Sequence, residues 1–175
     1  VLTYIGSSDF SDRYHFGQVD GVRALRSPGS TLKPLLYGLS FDRGIITPKT
    51  MIADVPISIK GDSPENYDKH FRGNVTVEYA LSNSLNIPAV KLLDEEGVGG
   101  FIFALSSAGF GSIYQSRKKM GLSLILGGCD VRLQELSALY SSLANDGIYY
   151  PLKFTLPADT TKNAGKAARE KGLTV

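Results

Sequence analysis

Arg26-Ser27-Pro28-Gly29-Ser30-Thr31-Leu32-Lys33-Pro34 is the stretch from which the rest of the chain is read. A stiff Pro-Gly turn delivers Ser30 to an apolar helix expected over Thr31 to about Leu39, and Lys33 follows three residues later. Residues three apart are neighbours on an α-helix, so a hydroxyl and an amine share one face. A serine hydroxyl is a weak nucleophile that needs a base within hydrogen-bond reach. Lysine serves as one only when neutral, which burial under Leu35, Leu36 and Leu39 and the positive end of the helix both favour. The same helix end directs backbone N–H groups at Ser30, where an acyl oxyanion would develop. Pro34 falls in the first turn and its ring crowds the Ser30 carbonyl, so regular helix is expected to begin later.

Spacing alone is not specific. Ser116-Arg117-Lys118-Lys119 repeats Ser-x-x-Lys with no Pro-Gly turn before it and no apolar helix after it, and it reads as a solvated basic turn. A second constellation is Ser84-Leu85-Asn86, where a helix expected from Thr76 to about Ser84, capped by Thr76, gives way to another with Pro88 near its start and Gly97 as its stop. Such a break can aim the Ser84 hydroxyl and the Asn86 carboxamide into one cleft. Ordinary helix capping accounts for the same two residue types.

Working outward, 175 residues with 42% hydrophobic content suffice for one domain with a sizeable core. Val1 to Ser7, apolar and β-branched, reads as a strand with its partner upstream, so the chain is expected to be a piece of a longer protein. A net charge of +2 with scattered signs gives no footprint for nucleic acid. No apolar run approaches the ~20 residues that span a bilayer. Cys129 stands alone and reads as a small core residue, and His15 and His70 lack metal-ligand spacing, so neither metal nor cofactor is expected. Residues 44–67 carry Pro48, Pro56 and Pro64 and read as a long excursion with a short strand near Ile57-Ser58-Ile59-Lys60. Asp54, Asp62 and Asp68, in or just after it, show no pairing for acid-base work, and Asp94-Glu95-Glu96 reads as a solvated face. A further helix is expected over Gly100 to Ala108, and the clearest one over Asp130 to Asn145, with a stripe of Leu133, Leu136, Leu139, Tyr140 and Leu143. Between them, Met120 to Gly128 is either a buried strand or an irregular core segment.

Ser30-Thr31-Leu32-Lys33 followed by Ser84-Leu85-Asn86 matches the first two motifs of the penicillin-recognising serine acyltransferases, S-x-x-K, S-x-N and K-T-G. With Pro64-Glu65-Asn66-Tyr67, Asn86-Ile87-Pro88-Ala89-Val90 and Ala144-Asn145-Asp146-Gly147, the chain resembles the transpeptidase domain of class A, bifunctional penicillin-binding proteins over roughly residues 1 to 155. Gly17-Gln18-Val19-Asp20-Gly21-Val22-Arg23-Ala24-Leu25 is most similar to the 1C branch of that family. The third motif does not occur. Lys49-Thr50-Met51 lacks its glycine and lies between the first two motifs.

The resemblance implies an α/β (α+β) fold of the penicillin-binding transpeptidase and serine β-lactamase type. Mostly its helical lobe is expected, with an incomplete antiparallel sheet over residues 1–155 and a frayed polar tail over 156–175. It implies that Ser30 attacks the penultimate D-alanine carbonyl of a peptidoglycan stem peptide, that Lys33 is its base, that Ser84 passes a proton to the leaving amine and that Asn86 bonds Lys33 and the substrate amide. An amine from a neighbouring stem then resolves the acyl-enzyme, and β-lactam antibiotics acylate the same serine. The implied location is the periplasmic side of the bacterial inner membrane, with the anchor outside this chain. Lack of K-T-G implies impaired turnover. Two other readings stay open: a serine β-lactamase, and a non-catalytic β-lactam sensor or cell-wall scaffold. Open sheet edges also invite pairing between chains, so a homodimer is expected.

Overall fold

A computed structural model describes residues 1–59, 61, 63–155 and 173–174. In chain order it contains a 3₁₀ turn Gly29–Leu32, α1 (Lys33–Asp42), β1 (Met51–Asp54), β2 (Gly73–Thr76), α2 (Val77–Ser82), α3 (Asn86–Glu96), α4 (Val98–Ser107), α5 (Gly111–Ser116), a 3₁₀ segment Leu122–Leu126, α6 (Leu133–Leu143), β3 (Ile148–Tyr149) and β4 (Leu173–Thr174). This is the mixed α/β architecture expected, dominated by helices. Antiparallel β1–β2 pairs Met51 with Thr76 and Asp54 with Gly73, and β3–β4 is a second antiparallel pair.

Helix α3 runs through the middle. It buries Ile87, Pro88, Ala89, Val90, Leu92 and Leu93 and packs against α1, α4, β1 and the Leu122–Leu126 segment. Its burial on several faces explains why its sequence shows no narrow apolar stripe. The apolar run from Met120 resolves as 3₁₀ rather than strand, with Leu122, Leu124 and Ile125 buried in the same core. This segment supports the Pro-Gly turn from below. At Gly127, φ +95, a Cβ would lie 2.8 Å from Gly29 Cα, and the Gly127 carbonyl accepts the Ser27 hydroxyl at 2.8 Å. Glycine is therefore required for both the backbone conformation and the close approach.

Several local expectations are corrected. Val1 to Ser7 forms no strand, because a strand exists only as part of a ladder and no described residue pairs with it. It is tied instead by the Val1 ammonium on the Lys153 carbonyl, 2.8 Å, by Tyr4 on Asp20 and by the Gly21 N–H on the Gly6 carbonyl, 2.7 Å. In the long excursion β1 lies ahead of Pro56; of the short strand expected near residues 57–60, Ile57 and Ser58 are outside any strand, Ile59 forms a single β-bridge, and Lys60, like Asp62, lies outside the described residues. The clearest helix starts at Leu133 rather than Asp130. Val131 is held extended by paired hydrogen bonds with Arg26, both 2.9 Å, and Glu135 folds back onto the Arg132 N–H at 2.8 Å to cap the helix. Within its stripe Leu139 is buried, while Leu133 and Leu143 are exposed. Glu96 does not belong to a solvated face: its carboxylate accepts the buried Ser40 hydroxyl at 2.6 Å and pairs with Arg43. The polar tail expected over 156–175 falls, apart from β4, outside the described residues.

Leu105 on α4 is fully buried. Leu105→Ala is expected to lower the unfolding free energy by about 2–5 kcal/mol, read from the midpoint shift of a urea titration. A shift near zero would mean that α4 is not part of the cooperative core.

Candidate active site

The site is assembled from two chain breaks brought together. The first is the entry to α1. The Gly29–Leu32 turn is 3₁₀ and α1 begins at Lys33, as the position of Pro34 requires: proline in the first turn forfeits only an N–H that has no helical partner. Ser30 is half-buried within this turn, and its carbonyl accepts the Lys33 N–H. The Gly29 N–H goes to Ser27 Oγ at 3.3 Å and the Thr31 N–H to the Pro28 carbonyl at 3.2 Å, while no backbone acceptor among the described residues takes the N–H of Ser30.

The second break is the α2–α3 junction. The Leu85 N–H bonds the Ala80 carbonyl and the Ser84 N–H bonds the Leu81 carbonyl, each 2.9 Å, which is the Schellman pattern that ends a helix. Ser84 occupies the left-handed position of that motif, φ 52, where glycine is the usual choice. Holding a serine there costs on the order of 1–3 kcal/mol. What it provides is a carbonyl and a hydroxyl on the same side of the turn.

Lys33 joins the two breaks. Its side chain crosses from α1 to the junction, where Nζ donates to the Ser84 carbonyl at 2.7 Å, to Asn86 Oδ1 at 2.8 Å and to Ser84 Oγ at 3.3 Å. Only 1% of Lys33 is exposed. A buried ammonium survives only when its protons are taken up by acceptors, and here all three are. Burial nonetheless lowers its pKa to about 8. Of the four residues singled out in the sequence, the structure thus gathers Lys33, Ser84 and Asn86 into direct contact. Ser30 stands one turn before Lys33, and its hydroxyl has no hydrogen-bond partner among the described residues.

Two residues of this neighbourhood were missed from sequence. Asn66, in the excursion after β1, accepts the Asn86 N–H on Oδ1 at 2.8 Å, and Asp54 at the end of β1 accepts the Asn66 amide at 2.8 and 2.9 Å. Both are buried. A small open cavity of about 160 Å³ lies beside Ser84, lined by Asn66, Tyr67, Asp68, Arg72 and Asn83. Arg72 in its wall is paired with Asp68 at 2.6 Å. Elsewhere, Arg117-Lys118-Lys119 is exposed, Lys49 pairs with Glu78 at the surface, and burial pushes the Cys129 thiol up to about 11, which suits a core residue and not a nucleophile. No cluster of metal-ligating side chains occurs among the described residues.

The family model for the penicillin-binding protein transpeptidase domain matches residues 18–170. The chain belongs to that family. Penicillin-binding protein 1C of Escherichia coli is 40% identical over 147 residues, covering 84% of this chain and 19% of that protein. Penicillin-binding protein 1A of Aquifex aeolicus is 35% identical over 151 residues, covering 77% of this chain and 19% of that protein. The chain therefore spans about a fifth of the length of these relatives. The same fold is seen in PBP2 of Pseudomonas aeruginosa, with a TM-score of 0.69 and 20% identity over 80% of this chain and 39% of that one. PonA1 of Mycobacterium tuberculosis gives 0.65 and 24%, over 75% of this chain and 37% of that one.

The Lys33 side chain is expected to titrate near pH 8, measured on its Cε resonance by NMR, against an unfolded value of ~10.4. Between these values the unfolded chain holds the proton and the folded chain does not, so stability rises with pH across that window. A midpoint above pH 10 would show that the three acceptors outweigh burial and that Lys33 stays charged at neutral pH.

Proposed function

We propose that this chain is the acyl-serine portion of a D-alanyl-D-alanine transpeptidase that cross-links peptidoglycan, with Ser30 as nucleophile, Lys33 as its base, Ser84 as proton carrier and Asn86 as the group that orients Lys33 and the substrate amide. The observation that supports it most is the three-way grip of the buried Lys33 amine on Ser84 and Asn86, one turn from Ser30. Family membership supplies the reaction class.

In this proposal neutral Lys33 takes the Ser30 proton as Oγ attacks the carbonyl carbon of the penultimate D-alanine. Oxyanion charge develops on the carbonyl oxygen, for which the unused Ser30 N–H is one donor. The weakest of the three Lys33 contacts, to Ser84 Oγ at 3.3 Å, is the one that opens while neutral Lys33 has only two N–H donors. Once Nζ holds the Ser30 proton, it donates along this contact as Ser84 gives its own hydroxyl proton to the departing amine, and the other two bonds hold Lys33 in place. The C–N bond breaks, terminal D-alanine leaves, and the amine of a second stem attacks the acyl-serine to form the cross-link. A β-lactam enters the same step, its strained amide replacing the D-alanyl bond. The whole protein, of which relatives are several times longer, is proposed to act at the periplasmic face of the inner membrane, held by an anchor outside these residues.

K-T-G does not occur in these 175 residues. In the family that strand provides a clamp for the substrate carboxylate and a second oxyanion donor, and loss of one donor costs about a hundred- to a thousandfold. Acylation by a strained penicillin is therefore expected to be detectable in this chain while cross-linking of stem peptides is slow.

Labelling with a fluorescent penicillin tests the assignment. The wild-type chain is expected to take one label, Ser30→Ala none, and Lys33→Ala to label about a hundred- to ten-thousandfold more slowly, the usual worth of a positioned base. Equal labelling of wild type and Ser30→Ala would overturn it. A folded wild-type chain that takes no label would favour the non-catalytic alternative.

A further inference from the structure

Helix α3 starts without a cap of its own. Its N-cap residue is Leu85, which has no side-chain acceptor, and Pro88 has no N–H to satisfy. Asn66 supplies what Leu85 cannot. From a loop twenty residues earlier, its Oδ1 accepts the Asn86 N–H at 2.8 Å. The preceding residue holds the other end of Asn86: its side-chain Nδ2 donates to the Glu65 carbonyl at 2.8 Å, which leaves Oδ1 facing Lys33.

Asn66 can act in this way only in one of its two amide orientations. Its Nδ2 donates to both oxygens of Asp54, at 2.8 and 2.9 Å, and to the His70 carbonyl at 2.9 Å. The opposite orientation would put Oδ1 against the carboxylate and an N–H against the Asn86 N–H, repulsive at both ends. Asp54 is fully buried and held by the Arg72 N–H at 3.0 Å as well as by Asn66. A buried carboxylate in which both oxygens accept from donors on fixed elements is a rigid reference point. Asp54 sits at the last position of β1, so the sheet, the loop and the junction are registered through it.

We propose that Asp54 and Asn66 are positioning residues for the acyl-transfer step: the carboxylate fixes the amide orientation of Asn66, which fixes the start of α3 and presents Asn86 Oδ1 to Lys33. The inference rests on the acyl-serine assignment above and extends it to two residues that touch neither Ser30 nor Lys33. Misplacing a catalytic group by about 1 Å costs on the order of a hundredfold in rate.

The test compares Asp54→Ala, Asn66→Ala, Asn66→Asp and the reciprocal exchange Asp54→Asn with Asn66→Asp in the 175-residue chain. In the exchange, the amide at position 54 donates to the carboxylate at position 66, which still accepts the Asn86 N–H; the His70 carbonyl loses its Asn66 donor, so the recovery expected is partial. Stopped-flow acylation by a fluorescent penicillin separates the binding constant from the rate constant for acylation. Residue-resolved hydrogen exchange reads the Asn86 N–H directly, without reference to activity. Ile113→Val and Leu105→Ala, core changes on helices that carry no site residue, bracket the loss of melting temperature. The expected result is that each single variant lowers the acylation rate constant on the order of a hundredfold, with little change in binding, and exposes the Asn86 N–H to exchange. The core variants of equal melting loss are expected to do neither, and the exchange to recover both in part relative to Asn66→Asp. The proposal is overturned if the single variants acylate and protect Asn86 like the core controls, or if the exchange is no better than Asn66→Asp. Should the wild-type chain itself fail to acylate, the functional assignment falls, and protection of the Asn86 N–H alone decides whether Asp54 and Asn66 fix the junction.

Discussion

A lysine ammonium buried at the meeting point of two helix ends sets the terms for everything around it. Lys33 leaves water almost completely, and a cation in that position must have oxygen atoms placed for it. The chain supplies one from a backbone carbonyl, one from a carboxamide and one from a hydroxyl, all from a three-residue junction. Neither helix end could be moved by a turn without leaving a buried charge unpaired, so this contact fixes α1 against α3. The same burial that demands partners also lowers the amine's pKa to about 8, so that a fraction of it is neutral near physiological pH and able to act as a base.

The junction carries conflicting demands. As the residue after a left-handed helix stop, Leu85 belongs with the apolar side chains and is buried; as the residue before α3, the same position calls for a polar cap. The apolar requirement prevails, and the polar one is met from outside by Asn66. Ser84 is a similar compromise. Glycine would hold the left-handed position at less cost, but only a serine also presents a hydroxyl to Lys33. Local strain at this point is offset by contacts that the strain makes possible.

This explains how much was legible in the sequence. Ser30 and Lys33 can be singled out as candidates because turn chemistry is local, Pro28-Gly29 announcing the turn and Pro34 the helix start, whereas Ser84 and Asn86, which helix capping explains equally well, are singled out only by the order of the two motifs; Pro88 and Gly97 mark the limits of α3. Asp54 and Asn66 could not be singled out, although Pro64-Glu65-Asn66-Tyr67 was noticed as a motif, since their partners are set by tertiary packing between β1 and a loop. Glu96 failed for the same reason, its neighbours Ser40 and Arg43 being more than fifty residues away. Val1 to Ser7 failed differently. Its composition is that of a strand, but composition cannot provide the ladder that makes one.

The most direct measurement is tandem mass spectrometry of tryptic peptides after reaction with benzylpenicillin. Because trypsin cleaves poorly between Lys33 and Pro34, the peptide of interest runs from Ser27 to Arg43, and it also contains Ser40. The account predicts a single penicilloyl group on that peptide, with fragment ions placing it on Ser30. An adduct on Ser84, Ser116 or another residue, with Ser30 unmodified, would contradict it.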